Sequence, residues 1–131
     1  MVRDYIYIED GVHAYLHLAE QMLERGLEGH AFNFSTETPF SVLDITDKIL
    51  KIMGSKLEPT VLNQAKHEIP EQYLSAKKAK EMLGWKPLFG IDDGLERTVE
   101  WYRQYFDQKR SDAQEFKANR NEMQGLRQSF I

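Results

Sequence analysis

The chain has 131 residues, a formal net charge of -4 from 17 basic and 21 acidic side chains, and no cysteine. The lack of cysteine excludes disulfides, thiolate nucleophiles and cysteine-ligated zinc. The charge balance, without a dense Lys/Arg block, gives no reason to expect nucleic acid or a membrane as a partner. The composition predicts one globular domain. Because we find no signal peptide and no segment of membrane-spanning length, we expect a cytoplasmic protein.

The chain opens with a predicted strand at residues 5–8 (YIYI), an aromatic and β-branched run. Asp10 is placed to cap the helix that follows. That helix carries an apolar stripe at helical spacing, and Gly26 is its expected end. The stripe consists of Val12, Tyr15, Leu16, Ala19, Met22 and Leu23.

A second short strand is predicted at residues 31–34 (AFNF). Ser41 followed three residues later by Asp44 predicts a helix start of the capping-box type. The helix carries an apolar face and should end at Gly54. Residues 59–62 could form a third strand.

Ser75 and Gly84 are expected to mark the start and end of a short helix, and Pro87 lies where that helix could not continue. A longer helix is predicted over residues 91–106 from its apolar spacing. Trp85 and Trp101 are both expected to pack in the core or against a turn.

Composition changes after Phe106. Residues 107–131 are polar, and they could form a marginal helix completed by a partner or a frayed tail. We therefore divide the chain into a folded part at residues 1–106 and a tail at 107–131. The folded part is predicted to be α/β and helix-rich, with three or four short strands.

Several segments resemble one enzyme family in order and spacing. Residues 3–10 (RDYIYIED) resemble the motif R-D-aromatic-x-Y-V-x-D, and residues 31–34 resemble x-aromatic-N-hydrophobic. Residues 83–87 (LGWKP) and 94–102 (GLERTVEWY) match L-G-W-x-P and G-L/I-x-x-T-V-x-W-Y, and 41–54 resemble the helix between. Together they are similar to the C-terminal, substrate-binding portion of extended short-chain dehydrogenases, the NAD-dependent nucleotide-sugar epimerases and dehydratases.

Within that family, residues 69–74 (IPEQYL) look closest to dehydratases of the CDP-glucose 4,6 type. Family members bind NAD(P) on an N-terminal Rossmann domain through a Gly-rich turn, and a Tyr-x-x-x-Lys pair moves the proton. This sequence has no such turn. Its two Tyr-x-x-x-Lys spacings, at Tyr73 and Tyr105, follow the 3–10 motif, whereas the family's pair precedes it. The resemblance therefore implies an absent Rossmann domain, no cofactor site and no catalytic residue.

The resemblance also implies three substrate-binding candidates. Arg3 occupies the position of an arginine that contacts the nucleotide diphosphate, for which a planar two-pronged donor is suited. Glu68 corresponds to a ribose-contacting acid in an R-P-x-E motif. The preceding pair is Ala65 and Lys66 here, so Lys66 supplies a point charge where the family has an arginine fork. A solvated Arg3 without a ligand is the alternative.

His13 and His17 are four residues apart on the first helix, a spacing that can bind a metal. No third ligand converges on them in the sequence. We therefore predict no metal site.

Two functions remain open at this point. The first is a catalytically incomplete nucleotide-sugar epimerase or dehydratase fragment that binds nucleotide sugars weakly at most. The second is a self-associating or partner-binding protein, in which a homo-oligomer, such as a homodimer, covers the apolar face of the first helix and the 31–34 edge strand. A separate chain could also supply the Rossmann half.

Overall fold

The computed structural model describes residues 1–64 and 67–128, with side chains through residue 114 and that of Phe116. The strands are β1 (Val2–Asp4), β2 (Pro39–Ser41) and β3 (Glu71–Gln72). The helices are α1 (Ile8–Glu24), α2 (Val42–Met53), α3 (Lys77–Leu83) and α4 (Ile91–Gln128). The chain forms two compact units, Met1–Arg97 and a second that begins at Thr98.

The strands form one small sheet in the order β2-β1-β3. The central strand β1 runs antiparallel to β2 and parallel to β3. Arg3 lies opposite Phe40 on one side and Gln72 on the other. The prediction of a helix-rich α/β fold with a few short strands is confirmed, although the strands lie elsewhere than expected.

The first strand was predicted too late in the chain. Residues 5–7 lead into α1, and the N–H groups of Asp10 and Gly11 donate to the carbonyl of Tyr7 at 3.0 and 3.2 Å. Asp10 is therefore the third residue of α1 and not its cap. Its position in sequence is compatible with either role, and the tertiary packing of its side chain decides between them. Gly26 follows the end of α1 with a φ of +60°, as predicted.

Residues 31–34 and 59–62 are not strands. Phe32 and Phe34 instead pack against the core, and the Phe34 ring meets the Trp85 ring edge-on at 5.1 Å. Their alternating pattern thus reflects side-chain packing without a hydrogen-bonded ladder. In the second segment Pro59 lacks an N–H for pairing, and both Val61 and Leu62 are exposed.

The ends of α2 follow the sequence signals. Ser41 Oγ accepts from the N–H of Asp44, and the Asp44 carboxylate accepts from the N–H of Ser41, each at 3.0 Å. Gly54 ends the helix in the left-handed region at a φ of +64°. The reciprocal bonds confirm the capping box.

The short helix α3 begins at Lys77 with Ala76 at its N-cap, one residue later than the predicted cap Ser75. Ser75 Oγ still accepts from the N–H of Lys77 at 3.3 Å. Gly84, with a φ of +70°, ends the helix as predicted.

The core of the first unit joins α1 to α3. Its buried members are Ala14, Leu27, Ala76, Ala79, Leu83 and Trp85. Burying a side chain such as Leu83 stabilises the fold by about 1.5–3 kcal/mol. Trp85 is 1% exposed, as predicted, whereas Trp101 is 56% exposed, so the prediction was wrong for Trp101. Its motif sets helical spacing but does not say which face is covered.

Helix α4 continues without a break through residue 107, where the polar tail was expected to start. The division at 106/107 stays a prediction. No helix in the described residues is both long and apolar enough to cross a membrane.

Candidate functional site

Arg3 lies at the middle of the central strand and is partly buried. Its Nη1 donates to the carbonyl of Val2 at 2.8 Å. Residues directly opposite in neighbouring strands share a face of the sheet, so Arg3, Phe40 and Gln72 lie on the same face. This face offers a cation, an aromatic ring and an amide together. We call it the Arg3 face.

The segment that leads into β3 places Glu68, a second predicted site residue, near this sheet. The N–H of Val2 donates to the carbonyl of Pro70 at 2.8 Å, which joins the start of β1 to the chain entering β3. Glu68 is exposed and lies two residues before Pro70. Lys66 lies outside the described residues. The structure thus brings Arg3 and the segment after Glu68 together.

Asp4, the neighbour of Arg3, anchors two loops that sequence reasoning missed. Its carboxylate accepts from Ser35 Oγ, from Thr36 Oγ1 at 3.2 Å and from the N–H of Leu74 at 3.3 Å. Ser35 is buried, and its Oγ also lies 3.2 Å from the carbonyl oxygen of Leu74. These contacts fix the end of β1 against the loop after β3. No local sequence pattern predicts this cluster, because the residues that contact Asp4 lie far from it in the sequence.

Glu37 holds the chain between β3 and α3. Its carboxylate accepts from the N–H of Ala76 at 2.8 Å, from Ser75 Oγ at 3.2 Å and from Lys80 Nζ. The hydrogen bond from Lys80, followed by that from Ala76, holds the pKa of Glu37 below its ordinary value of 4.5. Glu37 has a φ of +54°, in the left-handed region that non-glycine residues rarely adopt. The contacts compensate for that backbone conformation.

Asp10 is fully buried, and its Oδ1 accepts from the N–H of Leu88 at 2.6 Å. Its Oδ2 has no hydrogen-bond partner among the described residues. The carboxylate therefore joins the start of α1 to the chain that leads into α4. This role is structural.

The two histidines of α1 serve packing. Their rings stack at a centroid distance of 5.6 Å, and His17 Nε2 lies 2.8 Å from the carbonyl of Leu83. Because a carbonyl oxygen only accepts, that nitrogen carries the hydrogen and is not free for a metal. Among the side chains that the structure describes, no group of three His, Cys, Asp or Glu residues could hold a metal ion.

The two Tyr-x-x-x-Lys spacings lie in different units of the chain. Tyr73 is exposed in the loop after β3. Tyr105 lies on α4 with Lys109 Nζ 5.6 Å from its ring centroid, a cation–π contact that follows from helical spacing. Neither observation adds support for a catalytic pair.

No protein-family model matches the chain. A curated relative, the trifunctional UDP-glucose 4,6-dehydratase/UDP-4-keto-6-deoxy-D-glucose 3,5-epimerase/UDP-4-keto-L-rhamnose-reductase of Arabidopsis thaliana, is 32% identical over 105 residues, or 79% of this chain and 15% of the enzyme. UDP-glucose 4-epimerase of Thermotoga maritima, solved with UDP-glucose, is similar with a TM-score of 0.69 and 31% identity, over 80% of this chain and 32% of the enzyme. Several of the proteins similar to this chain are nucleotide-sugar epimerases and dehydratases.

The resemblance to nucleotide-sugar epimerases and dehydratases is thus confirmed at the level of the superfamily. The chain spans between 15% and 31% of the length of the first curated relatives. A CDP-glucose preference stays a prediction.

The prediction that no cofactor is involved needs correction. The enzyme WbmF of Bordetella bronchiseptica, solved with NADH, has a TM-score of 0.67 and 28% identity to this chain, over 82% of this chain and 31% of WbmF. A similar enzyme is thus known with this nicotinamide cofactor bound. In the described residues, however, no connection from a strand to a helix contains a glycine. In Rossmann domains a Gly-rich turn of this kind binds the pyrophosphate of the dinucleotide.

Proposed function

We propose that this chain recognises nucleotide-diphosphate sugars and does not catalyse a reaction by itself. The observation that carries the proposal is the position of Arg3 on the central strand of a fold shared with a UDP-glucose-bound epimerase. The absence of a Gly-rich turn in the described strand-to-helix connections supports the second part of the proposal.

The chemistry of the Arg3 face suits a diphosphate. A guanidinium presents several N–H donors in one plane and can bind two phosphate oxygens at once. Arg3 Nη1 already donates to the carbonyl of Val2, which fixes the orientation of the fork. Phe40 and Gln72 on the same face could stack on and hydrogen-bond to the rest of the ligand.

Glu68 and Lys66 complete the proposed site. We assign the Glu68 carboxylate to the ribose hydroxyls and the Lys66 ammonium to a phosphate oxygen. An ammonium is a point charge and provides less geometric selection than the guanidinium it would replace. We therefore expect affinity in the millimolar range, because few contacts must offset the cost of association.

Calorimetric or NMR titration tests the proposal with UDP, UDP-glucose, dTDP-glucose and CDP-glucose; the last tests the preference suggested by residues 69–74. Arg3→Ala should abolish binding and Arg3→Lys should weaken it. Arg103→Ala is the matched control, since Arg103 is exposed on α4 and pairs with Glu100 at 3.9 Å. Silence of the wild-type chain at millimolar ligand would refute the proposal. Turnover of UDP-glucose with added NAD would refute the absence of catalysis.

A second candidate function is association through α1. The apolar stripe that was expected on this helix is largely uncovered, with Tyr15 78% and Leu23 73% exposed. Exposed patches of this kind mark interaction sites in soluble proteins. The occupant we propose is a second copy of the chain in a homodimer, and a Rossmann-half partner chain is the alternative.

Light scattering at increasing concentration tests this second function. A homodimer that Tyr15→Glu converts to a monomer supports it. A wild-type chain that stays monomeric and does not copurify with a Rossmann-half polypeptide refutes it.

A further inference from the structure

The second unit carries a group of exposed aromatic side chains on α4. Trp101 and Tyr105 stack at 5.2 Å with an interplanar angle of 9°, and Tyr102 and Phe106 stack at 6.0 Å. Each of these rings is roughly half exposed, and Phe116 is 70% exposed further along the helix. Stacked rings of this size are a large apolar surface for one helix to leave in water.

Three of these aromatic residues, together with a lysine and an aspartate between them, form one line along the helix. They follow each other at alternating spacings of three and four residues, as in the seam of a coiled coil. They are Tyr102, Tyr105, Lys109, Asp112 and Phe116. We call this line the α4 seam. It is apolar toward both ends and carries one positive and one negative charge in the middle.

The order of these charges selects one way of pairing with an identical helix. In a parallel pair, Lys109 would face Lys109 and Asp112 would face Asp112, and like charges at a seam repel. In an antiparallel pair, Lys109 of each helix faces Asp112 of the other. The same register puts Tyr105 against Phe116.

We propose that α4 pairs antiparallel with α4 of a second copy through the α4 seam. The partner is a second copy because the seam supplies both members of each charge pair and both members of each aromatic pair. The rest of α4 is long and polar. Such a helix is stabilised little by its own apolar contacts, so pairing with a second helix would stabilise it.

Among the side chains that the structure describes, the seam charges make only local, exposed contacts within one chain. Asp112 Oδ1 accepts from Gln108 Nε2 at 2.7 Å, and Lys109 lies over the Tyr105 ring. Both contacts keep the charged groups on the seam side of the helix. Exposed pairs are weak, so the charges set direction and register while the aromatic rings provide most of the affinity.

Charge exchange tests the pairing. Sedimentation or light scattering from micromolar to millimolar protein should show a dimer. Lys109→Asp and Asp112→Lys should each weaken it about tenfold, because each creates two like-charge contacts. The double variant with both changes should restore wild-type dimerisation. Failure of the double variant to restore it, or a wild-type chain that stays monomeric, would overturn the proposal.

Control substitutions lie on the same helix. Asp107 and Arg110 pair with each other at 3.7 Å and lie off the seam. Asp107→Lys and Arg110→Asp change the net charge by the same amounts and should leave the dimer unchanged. Weakening by these controls equal to that of the seam variants would show a general charge effect and overturn the register.

Spin labels distinguish the directions. The chain has no cysteine, so single cysteines can be introduced at Ser111 and Glu100. In the antiparallel dimer, labels at Ser111 lie side by side on helices about 10 Å apart. Labels at Glu100 are separated by about 30 Å along the axis. Short distances at both sites would indicate a parallel dimer and overturn the proposal.

Discussion

The backbone of Gly94 passes so close to Tyr7 that a Cβ added at Gly94 would lie 2.9 Å from the Cβ of Tyr7. This contact joins the first turn of α4 to the residue before α1. It supplies a physical reason for glycine at the first position of the 94–102 motif.

Gly94→Ala should destabilise the first unit by about 1–3 kcal/mol, because the methyl group forces the two backbones apart. The change is expected in urea unfolding followed by circular dichroism. Gly11→Ala is the matched control. Gly11 lies inside α1 with no atom within 4 Å of an added Cβ, so alanine there should stabilise by about 1 kcal/mol through helix propensity. Equal effects at both sites would contradict the close approach.

The loss of stability in acid should depend on Glu37. Its folded-state pKa lies below the ordinary value of 4.5, chiefly through Lys80. The stabilisation it provides is therefore present above the unfolded pKa and is lost as pH falls through the folded pKa. Glu37→Gln should lower the free energy of unfolding at neutral pH and flatten its acid limb. Glu58→Gln, at an exposed loop glutamate, should leave the curve as in the wild type.

Asp4 and Ser35 should be energetically coupled. The Asp4 carboxylate accepts hydrogen bonds from three donors. Asp4→Asn removes its charge and should lower the free energy of unfolding by about 1.5–3 kcal/mol. A double-mutant cycle with Ser35→Ala should give a coupling energy of about 0.5–3 kcal/mol, measured by denaturant unfolding. Additive effects would show that the contact contributes nothing. Asp4→Asn should also weaken nucleotide binding, because the loop beside Arg3 loses its anchor.

Substitutions of Asp10 should separate its hydrogen bond from its charge. Asp10→Ala leaves the N–H of Leu88 without its acceptor and should cost about 1–3 kcal/mol beyond the lost packing. Asp10→Asn keeps a carbonyl oxygen for that N–H and should cost less. Thermal unfolding of both variants provides the comparison, and an asparagine as costly as the alanine would show that the carboxylate charge matters.

Local signals predicted the start of α2 and the C-terminal ends of α2 and α3. The bonds between Ser41 and Asp44, and the left-handed turns at Gly54 and Gly84, depend on residues within a few positions of each other. The strands were harder to predict from local signals. Val2 pairs with Ser41 and Glu71, and nothing in residues 2–4 identifies partners so far along the chain.

The residues of the candidate site likewise divide into those that a local motif predicts and those that depend on tertiary contacts. Arg3 was predicted because a motif surrounds it. Asp4, Ser35 and Glu37 were missed, because their roles arise from contacts across 31 or more residues. The alternation of Phe32 and Phe34 is equally typical of a strand and of a segment packed against the core. The contact of Phe34 with Trp85 shows that the second interpretation is correct.

The central position of β1 has a consequence for how this protein folds during synthesis. Val2 is synthesised well before its parallel partner Glu71. The sheet cannot close before that point, and such long-range pairing is slow. Until then β1 can pair only with β2, and its other edge is open to other nascent chains.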